Sequence, residues 1–367
     1  FSVEVPENRE HGDYATNVAM ALAKTIKKPP MEIAEEIAAI INDEKIEKVE
    51  VASPGFINVR IKDSFLLSSM KKVDTNWGRS NEGNAKTVIV EYFQLNIAKR
   101  PHVGHLRSAV IGDALKRMFA WRGYRVISDT HVGDWGTQFG ILIYALKQVS
   151  SGIKKKIEEE PFVHYEALYN LFHQAMENTE IRDRMKREGW ANEETDFDHI
   201  LEKGKKEFSN LEKGDPPENR EIWRHIRAVS MEKLKENARR LGLEEFSEHK
   251  GESEYEEDMP SIVDEVLKNV SQAKKGKDGS VIVGLSDEGL DDAVLIKSDG
   301  ASTYLLRDLA TIKYRKKKYN FFQNLYVVDV RQSHHFKQLF RVAELLRWGG
   351  AGESIHIEFG LMSLPEG

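Results

Sequence analysis

Two histidines three apart, His102 and His105, stand in the segment NIAKRPHVGHLRSAVIGDAL (96–115). Before them runs TVIVEYF (87–93), a buried-strand pattern, and a helical repeat starts immediately after them. The start of a helix carries unpaired N–H groups and the positive end of the helix dipole, which favour phosphate. Gly104, between the histidines, has no side chain to hold a nucleotide away from the backbone. Imidazole N–H groups can donate to phosphate oxygens as charge grows in a transition state, and such preorganised donors contribute about 3 kcal/mol each. The chemistry suggested is phosphoryl or adenylyl transfer rather than proton abstraction. Two plain readings stand beside it. Histidines flanking a loop glycine need no function, and a histidine pair can bind metal, although no third ligand at useful spacing stands nearby, so no metal site is expected.

Tyr304 and Asp308 are four apart in YLLRD, so on a helix they share a face. An ionised carboxylate there could accept charge-assisted hydrogen bonds from a cation in reach. The alternative is an Asp308 paired with Arg307 or a lysine, and a Tyr304 in the core.

The elements that must position these residues are legible from periodicity. Leu106, Val110, Ile111, Ala114, Leu115, Met118 and Phe119 recur with helical spacing, Gly123 closes that helix, and YRVISDTHV returns as a strand. This β-loop-α-β unit predicts a Rossmann-like, doubly wound parallel sheet. GDWGTQFGILIYAL opens a second helix, and a charged, mainly helical insertion is predicted over about 151–275. SVIVGL and AVLIKS are expected to resume the sheet, followed by the helix YLLRDLATIKYRKKK, the strand NLYVVDV, the helix HHFKQLFRVAELLRW and a last strand, SIHIEFG. Residues 1–76 predict a small α+β domain, with Asp13 a candidate helix cap and Pro29-Pro30 a helix stop, and 77–367 the domain built on the sheet. No run of 18 apolar residues suggests a membrane span, and the absence of cysteine excludes disulfides and thiolate chemistry and fits a reducing, cytoplasmic setting. With 54 Lys+Arg against 60 Asp+Glu, the net charge is −6, so a nucleic-acid partner would have to be held by local basic patches.

Taken in order, VEYFQLNIAKRPHVGHLRSAVIGDAL, HVGDWGTQFG, DGASTYLLRDLA and RQSHHFKQLF resemble the class I aminoacyl-tRNA synthetases, and arginyl-tRNA synthetase in particular. HVGH is similar to their His-Ile-Gly-His signature. EHGDYATNVAMALAK resembles the extra N-terminal domain of that family, which contacts tRNA, and LEKGDPPENREIWRHIRAVSMEKLKENARRLGL resembles its helical insertion.

The resemblance implies that His102, Gly104 and His105 bind ATP, that both histidines meet the transition state at the α-phosphate, and that His105 lies near bound arginine. Lys99 matches a lysine that helps neutralise phosphate; it is otherwise an exposed loop lysine. Asn96 matches the asparagine of a Ser-Pro-Asn segment, although Gln94-Leu95 departs from that pattern. Tyr304 and Asp308 would meet the guanidinium and Gln332 the amino group, with His335 its companion and His334 unassigned. Trp135 is expected to be a packing residue. Thr130 replaces an asparagine common in relatives. The basic run Lys313, Arg315, Lys316, Lys317 and Lys318 reads as a solvated helix end or a tRNA contact. The implied activity is arginine–tRNA ligation by a monomer, with L-arginine, ATP carrying Mg2+, and tRNA(Arg) as partners and no tightly bound cofactor. The sequence stops at FGLMSLPEG, where the family continues into a Lys-Met-Ser-Lys-like loop and a helical anticodon-binding domain, so a fragment is expected. The competing reading is a truncated, non-catalytic relative that binds tRNA or a protein partner.

Overall fold

The structure, a computed structural model, describes residues 1–361 apart from 244, 299, 350 and 351. The segment MSLPEG (362–367) lies outside the described residues. The chain divides into two units, 1–79 and from Ser80 onward.

The first unit carries strands β1 (Val3–Glu4), β2 (Tyr14–Thr16), β3 (Ile46–Ala52) and β4 (Phe56–Ile61) and helices α1 (Val18–Ile26), α2 (Pro30–Ile40) and α3 (Asp63–Met70). The strands form an antiparallel sheet in the order β1-β2-β4-β3. Ala19, Ile33, Ala34 and Ile57 make its core. Pro30 opens α2, where its missing N–H and fixed φ suit a first turn. Asp13 does not cap α1: it accepts the Ile61 N–H at 2.7 Å and ties the strands instead, while Asn17 takes the cap position.

In the second unit, β5 (Thr87–Glu91) is followed by α4 (Val103–Trp121), β6 (Arg125–Asp129) and α5 (Thr137–Gln148). The insertion is five helices, α6 (Ser151–Glu159), α7 (Pro161–Ala175), α8 (Thr179–Glu188), α9 (Ile200–Lys213) and α10 (Pro217–Arg240). Beyond it come α11 (Met259–Asn269), β7 (Ala273–Lys275), β8 (Val281–Val283), β9 (Ala293–Ile296), α12 (Tyr304–Tyr319), β10 (Gln323–Asp329), α13 (Ser333–Leu345) and β11 (Ser354–Phe359). The main sheet is wholly parallel, in the order β11-β10-β5-β6. Side chains alternate between its faces. Val88, Val90, Leu325 and Val327 share a core with Ala109 of α4, whereas Tyr326 packs with Leu339 and Val342 of α13. Burial on both faces explains why these strands read as continuous apolar runs.

Two expectations need correction. SVIVGL and AVLIKS do not resume the parallel sheet; they pair with β7 in a separate antiparallel sheet, β7-β8-β9. The reason is connection length, since nine residues between β8 and β9 permit a hairpin but not the crossover of a dozen or more that parallel pairing needs. The chain also returns to the parallel sheet well before residue 275. The Glu248 N–H donates to the Ser128 carbonyl at 2.9 Å, and Val132 bridges Gly251, so residues 248–251 run along the free edge beyond β6.

Candidate active site

Strands β5 and β10 lie side by side, but β5 leads through α4 to β6 on one side while β10 leads through α13 to β11 on the other. Such a divergence opens a crevice beyond the carboxyl ends of the strands, the usual ligand position in open α/β sheets. Residues 92–102 leave β5 on one flank of this crevice, and the turn Val330–Gln332 leaves β10 on the other.

His102 is the N-cap of α4, and its Nδ1 accepts the Gly104 N–H at 3.2 Å. The His105 Nδ1 accepts the His102 N–H at 3.1 Å, and the two rings lie 4.0 Å apart. Both Nδ1 atoms are acceptors, so in each neutral ring the proton sits on Nε2 and is available to an incoming oxygen. Burial, with the neighbouring His102 ring adding to it, pushes His105 down to about 4, so it is a neutral donor at pH 7. Helix capping thus uses the Nδ1 edge of each ring and leaves the Nε2 edge out of the cap.

The loop before this pair is held from several sides. Ala98 adopts a left-handed conformation with φ 61°, unfavourable by about 1–2 kcal/mol for a residue with a Cβ, and its N–H is taken by Ser230 of α10 at 3.0 Å. Ile97 donates to the Gly133 carbonyl and Gly133 to that of Leu95, forming a short parallel bridge between Asn96 and Gly133. The Asn96 amide lies on Gly133 so closely that a Cβ there would stand 2.0 Å from its Oδ1. Arg100 is pinned to Glu166 of α7 at 2.6 Å, and the Lys99 ammonium sits 4.9 Å from the centre of the Tyr169 ring. Burial draws Lys99 below the usual lysine value. Asn96, Lys99, Phe162, Ser230 and Asn237 line a small cavity between loop and insertion. Gln94 turns inward to Glu91 at 3.2 Å, and Thr130 is buried against His249 at 3.1 Å. Trp135 is buried, edge-on to Trp223 and Phe208.

Tyr304 begins α12 and is 67% exposed, which removes it from the core. Asp308, one turn on, does not pair with Arg307; that guanidinium reaches Glu252 at 3.2 Å. Asp308 instead accepts from the His335 Nε2 at 2.6 Å and faces the His131 Nε2 at 3.5 Å. Burial opposes its ionisation, but hydrogen bonds and charge from His131 and His335 hold it well below the usual carboxylate range. Burial likewise opposes charge on His131, yet Glu91 and Asp308 raise it to about 10. Gln332 is exposed at the end of its turn, three residues before His335. The structure therefore brings His102 to His105, Asn96 and Lys99 to one cavity, and Asp308 to two imidazoles.

The basic run is not a uniformly solvated helix end. Arg315 is 1% exposed, with Glu91 at 2.6 Å and Asp129 at 2.8 Å. Lys313 pairs with Glu265 at 2.6 Å, Lys316 with Glu353 at 2.5 Å, and Lys318 with Glu248. Four of the run's five cations are thus engaged within the protein. Sequence reasoning also missed His131, Glu91, Asp129 and Glu252, all beside Asp308 or its supporting cations. A carboxylate ending each of two apolar strands, Glu91 and Asp129, was the available signal.

An open parallel sheet with a capped histidine loop at its switch point defines a doubly wound α/β domain. The family described as "tRNA synthetases class I (R), catalytic domain" matches residues 67–366, and "Arginyl tRNA synthetase N terminal domain" matches 1–61. The chain belongs to the class I (R) tRNA synthetase family. It is similar to the arginine–tRNA ligases of Halothermothrix orenii and Clostridioides difficile, each 37% identical over 371 residues, covering 100% of this chain and 61% of the relative. It spans about 60% of the length of these relatives. Similar solved structures are arginyl-tRNA synthetase from Plasmodium falciparum (TM-score 0.69, 24% identity, covering 98% of this chain and 60% of that one) and that of Thermus thermophilus (0.69, 22%, 98% and 62%). At such identity these two speak for the fold alone.

Proposed function

We propose that this chain carries the amino-acid-activating part of an arginyl-tRNA synthetase. The arginine carboxylate oxygen attacks the α-phosphorus of ATP, the bond to the bridging oxygen breaks, and pyrophosphate leaves. A terminal ribose hydroxyl of tRNA(Arg) then attacks the arginyl carbonyl and AMP departs. Mg2+ enters with ATP as part of the substrate. In this reading His102 and His105 donate Nε2–H to phosphate oxygens beside the Gly104 backbone, and Lys99 supplies positive charge. Asn96, His105 and Gln332 address the arginine backbone groups; Tyr304 and Asp308 address its guanidinium. Residues 1–76 serve as the tRNA-contacting domain and 77–367 as the catalytic domain, acting as a monomer in the cytoplasm.

The observation that carries the reading is an ionised, half-buried Asp308 on the same helix face as an exposed Tyr304. Two imidazoles already face this carboxylate, and a planar guanidinium bringing two parallel donors is the cation suited to take the place of one of them. The test is equilibrium binding of L-arginine, L-lysine and L-citrulline to the chain, together with single-turnover adenylate formation with ATP and tRNA(Arg). Arginine should be preferred, and His102→Ala or His105→Ala should lower adenylate formation by about 10² or more. Equal binding of the three ligands, or unchanged rates in both variants, would sink the proposal.

A further inference from the structure

Asp308 already has cationic partners before any ligand arrives, and the two imidazoles that serve it are not equivalent. His131 is buried under a second carboxylate, Glu91, and its surroundings include Asp129, Arg315, Glu252 and Tyr255. His335 opens α13 and is about a quarter exposed at its side chain. Asp308 is the group that raises it; burial acts the other way. Around it, Phe336 is edge-on at 5.5 Å, and the His356 ring of β11, 4.5 Å from that of Phe336, donates its own proton towards the Val328 carbonyl, 3.0 Å away, and is near enough to His335 that a charge there disfavours one on His356. The adjacent His334 turns away to Asp291 at 3.2 Å. One imidazole is thus a fixed counter-charge with two anions, and the other depends on Asp308 alone.

Resting on the assignment of Asp308 to the guanidinium, we propose that His335 is a specificity-determining gate: its imidazolium occupies the Asp308 carboxylate until an incoming guanidinium displaces it, and the imidazole then gives up its proton to solvent. The exchange balances in charge, because one cation enters as one proton leaves, and His131 stays in place to keep the carboxylate ionised. A neutral side chain of the same shape offers nothing to replace the imidazolium. Only a ligand that brings its own positive charge at the right reach opens the site, so the gate sharpens the choice of a cationic amino acid beyond what one carboxylate supplies.

The sign of the pH dependence follows. Free His335 titrates above the ordinary histidine value of about 6.5, whereas beside a bound guanidinium, with its anion taken, it titrates at or below that value. Between the two values arginine binding releases a proton, so affinity rises with pH, by up to about ten-fold per unit. Below and above that window affinity is flat.

The experiment is calorimetric titration of L-arginine into the 367-residue chain at pH 6 to 8, in phosphate and in Tris, whose ionisation heats differ. The expected result is net proton release on binding, of at most one proton, and an affinity at least several-fold higher at pH 8 than at pH 6. His335→Gln, which keeps a donor for Asp308 but cannot titrate, should narrow that ratio to about two-fold or less and abolish the release. Imidazole 15N spectra of the unmutated chain give an independent reading: the His335 resonances should move from the charged to the neutral pattern when arginine is added at pH 7. Binding without proton release, release that persists in His335→Gln, or an unmoved His335 signal overturns the gate alone. No arginine binding at any pH removes the assignment of Asp308 on which the gate rests.

Discussion

Replacing Arg315 by Met removes the one guanidinium that lies between Glu91 and Asp129, 2.6 and 2.8 Å away, and its 3.2 Å hydrogen bond to Asn324. All four side chains are buried, so water cannot take over the lost contacts. Breaking a buried ion pair by deleting one partner costs about 3–5 kcal/mol, because the remaining charge stays desolvated. His131 persists as a second counter-charge to Asp129, which places the loss near the lower end, about 3 kcal/mol. The pH dependence is distinctive. In the parent, burial opposes Asp129 ionisation, but Arg315 and His131 hold its carboxyl below the usual range. It therefore contributes stability above its unfolded value of about 4, lost as pH falls through the lower folded value. Without Arg315, burial dominates and raises the folded value, so the group opposes folding above its unfolded value and the penalty recedes on acidification. The deficit should thus be largest at pH 7 to 8 and smaller at pH 5. Urea unfolding followed by tryptophan fluorescence is the assay, and five of the six tryptophans (all but Trp77) lie in the second unit. A loss under about 1 kcal/mol at pH 7.5, or an equal loss at pH 5, would refute the assignment of this cluster as a buried ionic core.

Asp308→Asn should weaken L-arginine binding by about 2–5 kcal/mol and L-citrulline far less, measured by calorimetry; equal losses would mean that the carboxylate only shapes the site. His105, titrating at about 4, should show the neutral, Nε2-protonated pattern in 15N spectra from pH 8 down to about 5, and a charged ring at pH 6 would contradict the capping geometry. Gly133→Ala forces a methyl group against Asn96 and should lower stability by about 1–3 kcal/mol in urea titration while loosening the signature loop; an unchanged midpoint would show that Asn96 moves aside freely.

The histidine pair was readable because its context is local: strand, loop and helix start fall within twenty residues, and the dipole and free N–H groups follow from the helix itself. Tyr304 and Asp308 were readable as a shared helix face. The partners of Asp308 were not, since His131 and His335 belong to other elements and periodicity carries no information about which loops meet. Arg315 was misread with its run, although Leu305, Leu309 and Ile312 set an inward stripe whose next step falls at 315 or 316. Asp129, its partner, is 186 residues away in sequence. The parallel sheet was legible in its apolar runs, whereas the small antiparallel sheet was mistaken for its continuation because short buried strands look alike until connection lengths are weighed.

The bond from Ala98 to Ser230 spans 132 residues of sequence and joins the loop before the histidines to the middle of α10. It changes what can be exchanged between relatives. A chimera that swaps only the insertion would bring in a foreign α10 beneath a loop whose left-handed residue depends on the resident one. A chimera that swaps only residues 93–101 would strand that residue without its acceptor. The transplantable piece is discontinuous: loop and insertion must travel together, with Gly133 to receive Asn96, while the strands on either side can stay behind.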